Sequence, residues 1–141
     1  MDLTKENCEV LNKCLIFFKK KSPKKIEEKT FSFTEEEIRN FNSEIEQQLA
    51  IKEYHLEDAV YFENLGLLYD KVSETDEAIE SLERSLEIEP SMGDGYKRLM
   101  SLYNLKRKEA AVAHDDELIE YYMGKMDEMR NIAKKLTLTA K

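Results

Sequence analysis

The chain has 141 residues, of which 37% are charged, and a net charge of −8. That length fits one domain burying roughly 68–70% of its unfolded surface, and the longest apolar cluster, Cys14 to Phe18, is far too short for a membrane span. Residues 1–30 carry 8 Lys/Arg against 5 Asp/Glu, residues 31–95 carry 4 against 18, and residues 96–141 carry 10 against 7. The acidic middle would repel phosphates, which excludes nucleic acid as the main ligand and leaves room for a basic partner.

The first predicted element is a helix over residues 4–20, capped by Thr4, with Val10, Leu11, Cys14, Leu15 and Phe18 at helical spacing. Its positive cluster follows the apolar run, the reverse of a secretory signal. That cluster, Lys19-Lys20-Lys21-Ser22-Pro23-Lys24-Lys25, matches a nuclear-import signal, a phosphorylation site at Ser22 or a phosphate-binding tab. It reads more simply as cations at a helix C-terminus that Pro23 stops. Cys8 and Cys14 lie on different faces and match no zinc spacing, so both are expected as free thiols in a reducing compartment, by default the cytoplasm.

A second helix starts at a marked boundary. Thr34 and Glu37 form a capping box, Phe33 and Ile38 a hydrophobic staple, and Ile38, Phe41, Ile45 and Leu49 carry one stripe to about residue 52. Next comes Phe62-x2-Leu65-Gly66-x2-Tyr69, followed by Ala78-x3-Leu82 and Pro90. Phe62, Leu65, Tyr69 and Val72 form one apolar stripe; Ala78, Ile79, Leu82, Leu86 and Ile88 form a second that covers it. Gly66 costs about 1 kcal/mol inside a helix and therefore predicts close approach of the partner helix at Ala78. Ser73, Thr75 and Asp76 supply the turn and a cap, and Pro90 ends the second helix. Gly93 and Gly95 flank Asp94 in an inter-repeat turn, with Ser91 or Asp94 capping the helix that follows.

The pattern then recurs. Phe62, Leu65 and Tyr69 map onto Tyr96, Leu99 and Tyr103 at an offset of 34 residues, with Met100 in place of Gly66. Past Val112 the register slips, and Leu118 to Tyr122 arrive late for a second helix. Extension of that second helix explains the delay better than a longer loop, because Val112, Asp115, Ile119, Tyr122, Met126, Met129, Ala133 and Leu136 keep one stripe, with Gly124 a candidate bend.

These motifs resemble the tetratricopeptide repeat family, whose signature is aromatic-x2-Leu-Gly-x2-Tyr, then Ala-x3-aromatic, then Pro, with a 34-residue period. The resemblance implies an all-α fold: a short right-handed α-α superhelix of helical hairpins with about seven helices. Its parts would be atypical N-terminal helices (1–58), a repeat (59–92), a degenerate repeat (93–126) and a C-terminal cap (127–141). It also implies a concave groove lined by the first helix of each repeat, here Glu63, Asn64, Leu67, Asp70 and Lys71, then Lys97, Arg98, Ser101 and Asn104. Asn64 and Arg98 occupy positions that family members use to grip a partner's terminal carboxylate, but Asp94 stands where another cation belongs, so a mixed peptide groove is expected.

No enzyme is expected. His55 and His114 are the only imidazoles; His114-Asp115-Asp116 points in diverging directions and reads as a solvated or capping segment. No glycine-rich phosphate loop or nucleophile elbow is present, and no cofactor or metal is expected. The function implied is an adaptor that binds a peptide segment of another protein. An assembly or secretion-type chaperone for a basic or unfolded client is the alternative. Tyr121, Tyr122, Met123, Met126 and Met129 are expected as core or as a homodimer seam.

Overall fold

The computed structural model describes residues 32–139, and the expected helix at 4–20, Cys8, Cys14 and the Lys19–Lys25 cluster lie outside them. Among the described residues the elements are α1 (Glu35–Ala50), a 3-10 turn (Lys52–His55), α2 (Ala59–Lys71), α3 (Thr75–Ile88), α4 (Asp94–Val112) and α5 (Asp116–Thr139). The fold is an all-α helical repeat. Each helix packs on the next, and α4 also reaches α2, so the first helices of the two hairpins lie side by side.

The capping box that starts α1 is complete: Glu37 N–H donates to Thr34 Oγ1 at 3.2 Å, and Thr34 N–H donates to Glu37 Oε2 at 2.7 Å. Phe33 packs edge-on against Phe41, ring centroids 5.0 Å apart, while Ile38 is exposed. The staple therefore runs one turn further into the helix than expected. At α2 the cap is Asp58, which accepts from Tyr61 N–H at 3.2 Å; that bond, then His55, lowers the Asp58 pKa. Tyr61 O–H donates to the Gln48 carbonyl and fastens α2 to the end of α1.

α2 and α3 form an antiparallel hairpin. Ser85 Oγ donates to the Ala59 carbonyl at 2.7 Å, linking the end of one helix to the start of the other. At the crossing, a Cβ on Gly66 would stand 2.7 Å from Leu82 Cγ and 3.2 Å from the Ala78 carbonyl oxygen. Close approach is thus real, with Leu82 the nearest neighbour and Ala78 behind it. Glu74 is the N-cap of α3 and Gly93 that of α4, and neither helix has a side-chain cap hydrogen bond. The expected caps from Ser73, Thr75, Ser91 and Asp94 do not form; acidic residues in the first turn of each helix complement its dipole instead. Before Pro90, Glu89 is extended and ends α3 as the proline requires.

The second hairpin corrects the expected register. α2 has 13 residues and α4 has 19, so the delay arises in the first helix of that repeat, while the second helix is extended as expected, α5 having 24 residues against 14 for α3. Val112 ends α4, the chain turns at 113–115, and the continuous stripe starting at Val112 is broken there. Both hairpin turns share one hydrogen-bond pattern: Glu74 N–H donates to the Tyr69 carbonyl and Ser73 N–H to Asp70, as Asp115 N–H does to Ala110 and His114 N–H to Ala111. This is the Schellman stop, and its left-handed residues are Ser73 (φ 64°) and His114 (φ 56°). They lie 41 positions apart instead of 34, a difference of about two helical turns. An insertion of that size carries the chain back to nearly the same face, which is why the hairpin still closes. α5 then runs unbroken across the 126/127 boundary and through Gly124, around which a Cβ would meet nothing within 4 Å.

Ser73→Gly and His114→Gly are each expected to stabilise the protein by up to about 1 kcal/mol. They remove left-handed strain of about 1–2 kcal/mol against about 0.5–1 kcal/mol of added chain entropy. Thermal unfolding followed by circular dichroism checks this, and a fall in Tm for both would contradict it.

Two core clusters result. Ile45, Tyr61, Phe62, Leu65 and Leu68 join α1 to α2. Ala78, Ile79, Leu82, Leu86, Leu99, Leu102, Tyr103 and Met129 join α3, α4 and α5. Of the aromatic and methionine cluster on α5, Met129 is buried and Tyr122 and Met126 pack against the core, whereas Tyr121 and Met123 are exposed.

Candidate functional site

Packing of α2 beside α4 follows from two details. A Cβ on Gly95 would lie 2.8 Å from Glu63 Oε2 and 2.9 Å from its Cγ, so the glycine makes room for the Glu63 side chain. Gly95 is therefore a packing residue inside α4 and not part of the turn expected there. One turn on, Arg98 donates from Nε to Asp70 Oδ2 at 2.6 Å and from its terminal nitrogen to Oδ1 at 2.9 Å, a bidentate pair. Such forks are directional as well as strong, and here they set the register between the hairpins.

These contacts sort the nine sequence-predicted groove residues. Asp70 and Arg98 are brought together, and Glu63 packs over Gly95, so these three are used between helices. Leu67 packs against the larger core cluster. Ser101 Oγ donates to the Lys97 carbonyl at 3.2 Å, and Asn104 Oδ1 accepts two bonds from Arg107, at 2.9 and 3.2 Å. Asn64, Lys71 and Lys97 are exposed, with Lys71 Nζ 4.9 Å above the Phe41 ring. Pairing of Asp70 with Arg98 was not anticipated from sequence. Opposite charges 28 positions apart, one on each first helix, were the available signal.

On the other side of the hairpins, two crevices follow the same plan. The first, about 430 Å³, has a floor of Phe62, Leu65 and Tyr69 between the end of α1 and α3. The second, about 170 Å³, has a floor of Leu99 and Tyr103 between α3 and α5. Leu65 and Tyr69 map onto Leu99 and Tyr103 through the 34-residue period. In the second crevice Tyr103 O–H donates to Glu83 Oε1. Burial, then the Glu83 carboxylate, pushes the Tyr103 pKa far upward and keeps the phenol neutral. Lys125 Nζ approaches Glu83 to 3.7 Å. Burial opposes the Lys125 charge, but Glu83 and its neighbours outweigh it and raise the pKa. Likewise Lys106, on the extra length of α4, reaches Asp76 at 2.8 Å; its pKa is raised despite burial.

His55 bonds Asp58 at 3.1 Å and stacks on Tyr61, ring centroids 4.9 Å apart, while His114 sits exposed in the second turn and Asp115 caps Leu118 N–H. Among the described residues, no group of three or more His, Cys, Asp or Glu is placed to hold a metal ion. None of the described helices is long and apolar enough to cross a membrane.

The α2–α3 hairpin, with a small residue at the crossing and a proline after the second helix, coincides with the match of a family model described as tetratricopeptide repeat, over residues 59–92. Residues 59–92 are a tetratricopeptide repeat. The α4–α5 hairpin follows as a second, lengthened unit of the same kind. No curated protein and no solved structure matches the chain. Tetratricopeptide repeats are a protein-interaction fold, and the chain is read as a protein–protein interaction module on that basis.

Proposed function

We propose that the module binds a peptide segment of a partner protein along the face made by α2 and α4, acting as an adaptor in the cytoplasm. The observation that carries this reading is the side-by-side placement of the two first helices, locked by Asp70 and Arg98, with Asn64, Lys71 and Lys97 exposed around the locked pair. Exposed cations and an amide on a rigid, pre-registered surface can grip carboxylates and backbone carbonyls of an extended chain without first reorganising. Arg98 acts through the packing of the helices, so the groove's own grip falls to Lys97, Asn64 and Lys71.

A test is selection of ligands from a random peptide library against the full chain, followed by NMR shift mapping. Lys97→Glu with Asn64→Ala is expected to weaken the selected peptide about tenfold, a loss of about 1.4 kcal/mol, with far-UV dichroism unchanged. Shifts confined to α5, or full affinity in the double variant, would remove the reading.

A further inference from the structure

Charge is not spread evenly over the helices. α4 carries Lys97, Arg98, Lys106, Arg107 and Lys108 against Asp94 and Glu109, whereas α1, α2, α3 and α5 are each net acidic. Arg84, Arg98, Arg130 and Lys106 each face a carboxylate. Two cations of α4 differ. Arg107 is held by a neutral group, donating from Nε and a terminal nitrogen to Asn104 Oδ1. Lys97 is exposed and makes no ion pair among the described residues. Asn104 follows Lys97 by two helical turns on the same face, so its amide holds the Arg107 guanidinium towards the face that carries Lys97. With Oδ1 turned to Arg107, the Asn104 NH2 is left to donate elsewhere.

We propose that the segment bound by the α2/α4 face is acidic and extended, with two side-chain carboxylates four residues apart, one set against Lys97 and the other against Arg107. This rests on the α2/α4 reading and names the chemistry of its partner. The spacing follows from the helix. Along the axis, Asn104 lies about 10 Å and Arg107 about 15 Å beyond Lys97. An extended chain advances about 3.3 Å per residue and returns a side chain to the same side at every second one, so four residues, about 13 Å, match the pair. The Asn104 NH2 lies between the two cations, where it can donate to a backbone carbonyl of the segment. A carboxylate on Arg107 gains a charge-assisted bond that the neutral amide does not supply. The face's own carboxylates are placed otherwise: Asp70 is taken by Arg98, Glu63 packs over Gly95, and Asp94 starts the helix before the stretch from Lys97 to Arg107.

The test uses the full chain and a short peptide with two Glu four residues apart in a Ser/Thr background, acetylated and amidated so that no terminal carboxylate contributes. Fluorescence anisotropy should give saturable binding. Arg107→Gln and Lys97→Gln should each weaken it about tenfold with far-UV dichroism unchanged, and Arg130→Gln on α5 should leave it as it was. Raising the salt concentration should weaken it. A peptide with Gln in place of both Glu should not bind, and one with the two Glu adjacent, facing opposite sides, should bind about tenfold more weakly. The proposal is overturned by absence of saturable binding, by equal affinity for the Gln peptide, or by full affinity in Arg107→Gln. Displacement of the peptide by a single-stranded RNA oligonucleotide of equal charge would also overturn it, since phosphate would then be the ligand. If library-selected peptides shift Asn64 and Lys97 yet carry no acids and ignore Arg107→Gln, this proposal falls and the α2/α4 reading stands. Shifts confined to α5 remove both.

Discussion

Leu82→Ala is expected to lower the unfolding free energy by about 2–5 kcal/mol in urea denaturation followed by far-UV dichroism. Leu82 is 1% exposed and lies where α2 and α3 approach most closely, so truncation removes buried methyl groups and leaves a cavity that helices of fixed separation cannot collapse into. The same contact makes a second, sharper expectation. Gly66→Ala places a Cβ 2.7 and 2.9 Å from Leu82 side-chain atoms, an overpacking cost of about 1–3 kcal/mol. Better helix propensity offsets about 1 kcal/mol of it. In the Leu82→Ala background the two nearest of those atoms are gone, and the next, the Ala78 carbonyl oxygen, stands at 3.2 Å. Gly66→Ala should then be neutral or stabilising, and the double-mutant cycle should show positive coupling. Strict additivity would mean that the helix crossing is not where the structure puts it.

Leu99→Ala should cost a similar amount, about 2–5 kcal/mol, and do so for both hairpins at once. Leu99 is fully buried and shares one cluster with Leu82 and Leu86 of the first repeat and Met129 of α5. Because that core crosses the repeat boundary, the α4–α5 hairpin is not expected to melt while α2 and α3 stay folded. Dichroism and tyrosine fluorescence should report one superimposable transition, moved to lower urea. Two separated transitions in the variant would show that the repeats hold their cores independently, as a longer array can do.

Much of this architecture is visible in the residue pattern. The stripe Phe62, Leu65 and Tyr69, its echo at Tyr96, Leu99 and Tyr103, and Pro90 after α3 each express a rule acting over one or two helical turns. The capping box at Thr34 is as local. Expectations failed where two local rules competed, as at the starts of α3 and α4. There, several small polar residues were eligible to cap, and the dipole was met by acidic first turns instead. At 113–115 the left-handed stop rests on His114, and no glycine marks it. The helical stripe looked continuous because Ile119 to Leu136 lie wholly within α5, and only Val112 and Asp115 fall before its start.

Helix existence, the hairpin of residues 59–92 and its repetition were determined by the order of apolar and small residues, since a helix face is a property of neighbours in sequence. Only the folded chain decided that Asp70 meets Arg98, that Glu63 rests on Gly95, and that Glu83 gathers Tyr103 and Lys125. Those meetings depend on the distance and axial offset between helices, which are settled by how whole faces pack. The same packing sets Met129 of α5 into one core with Leu99 and Tyr103.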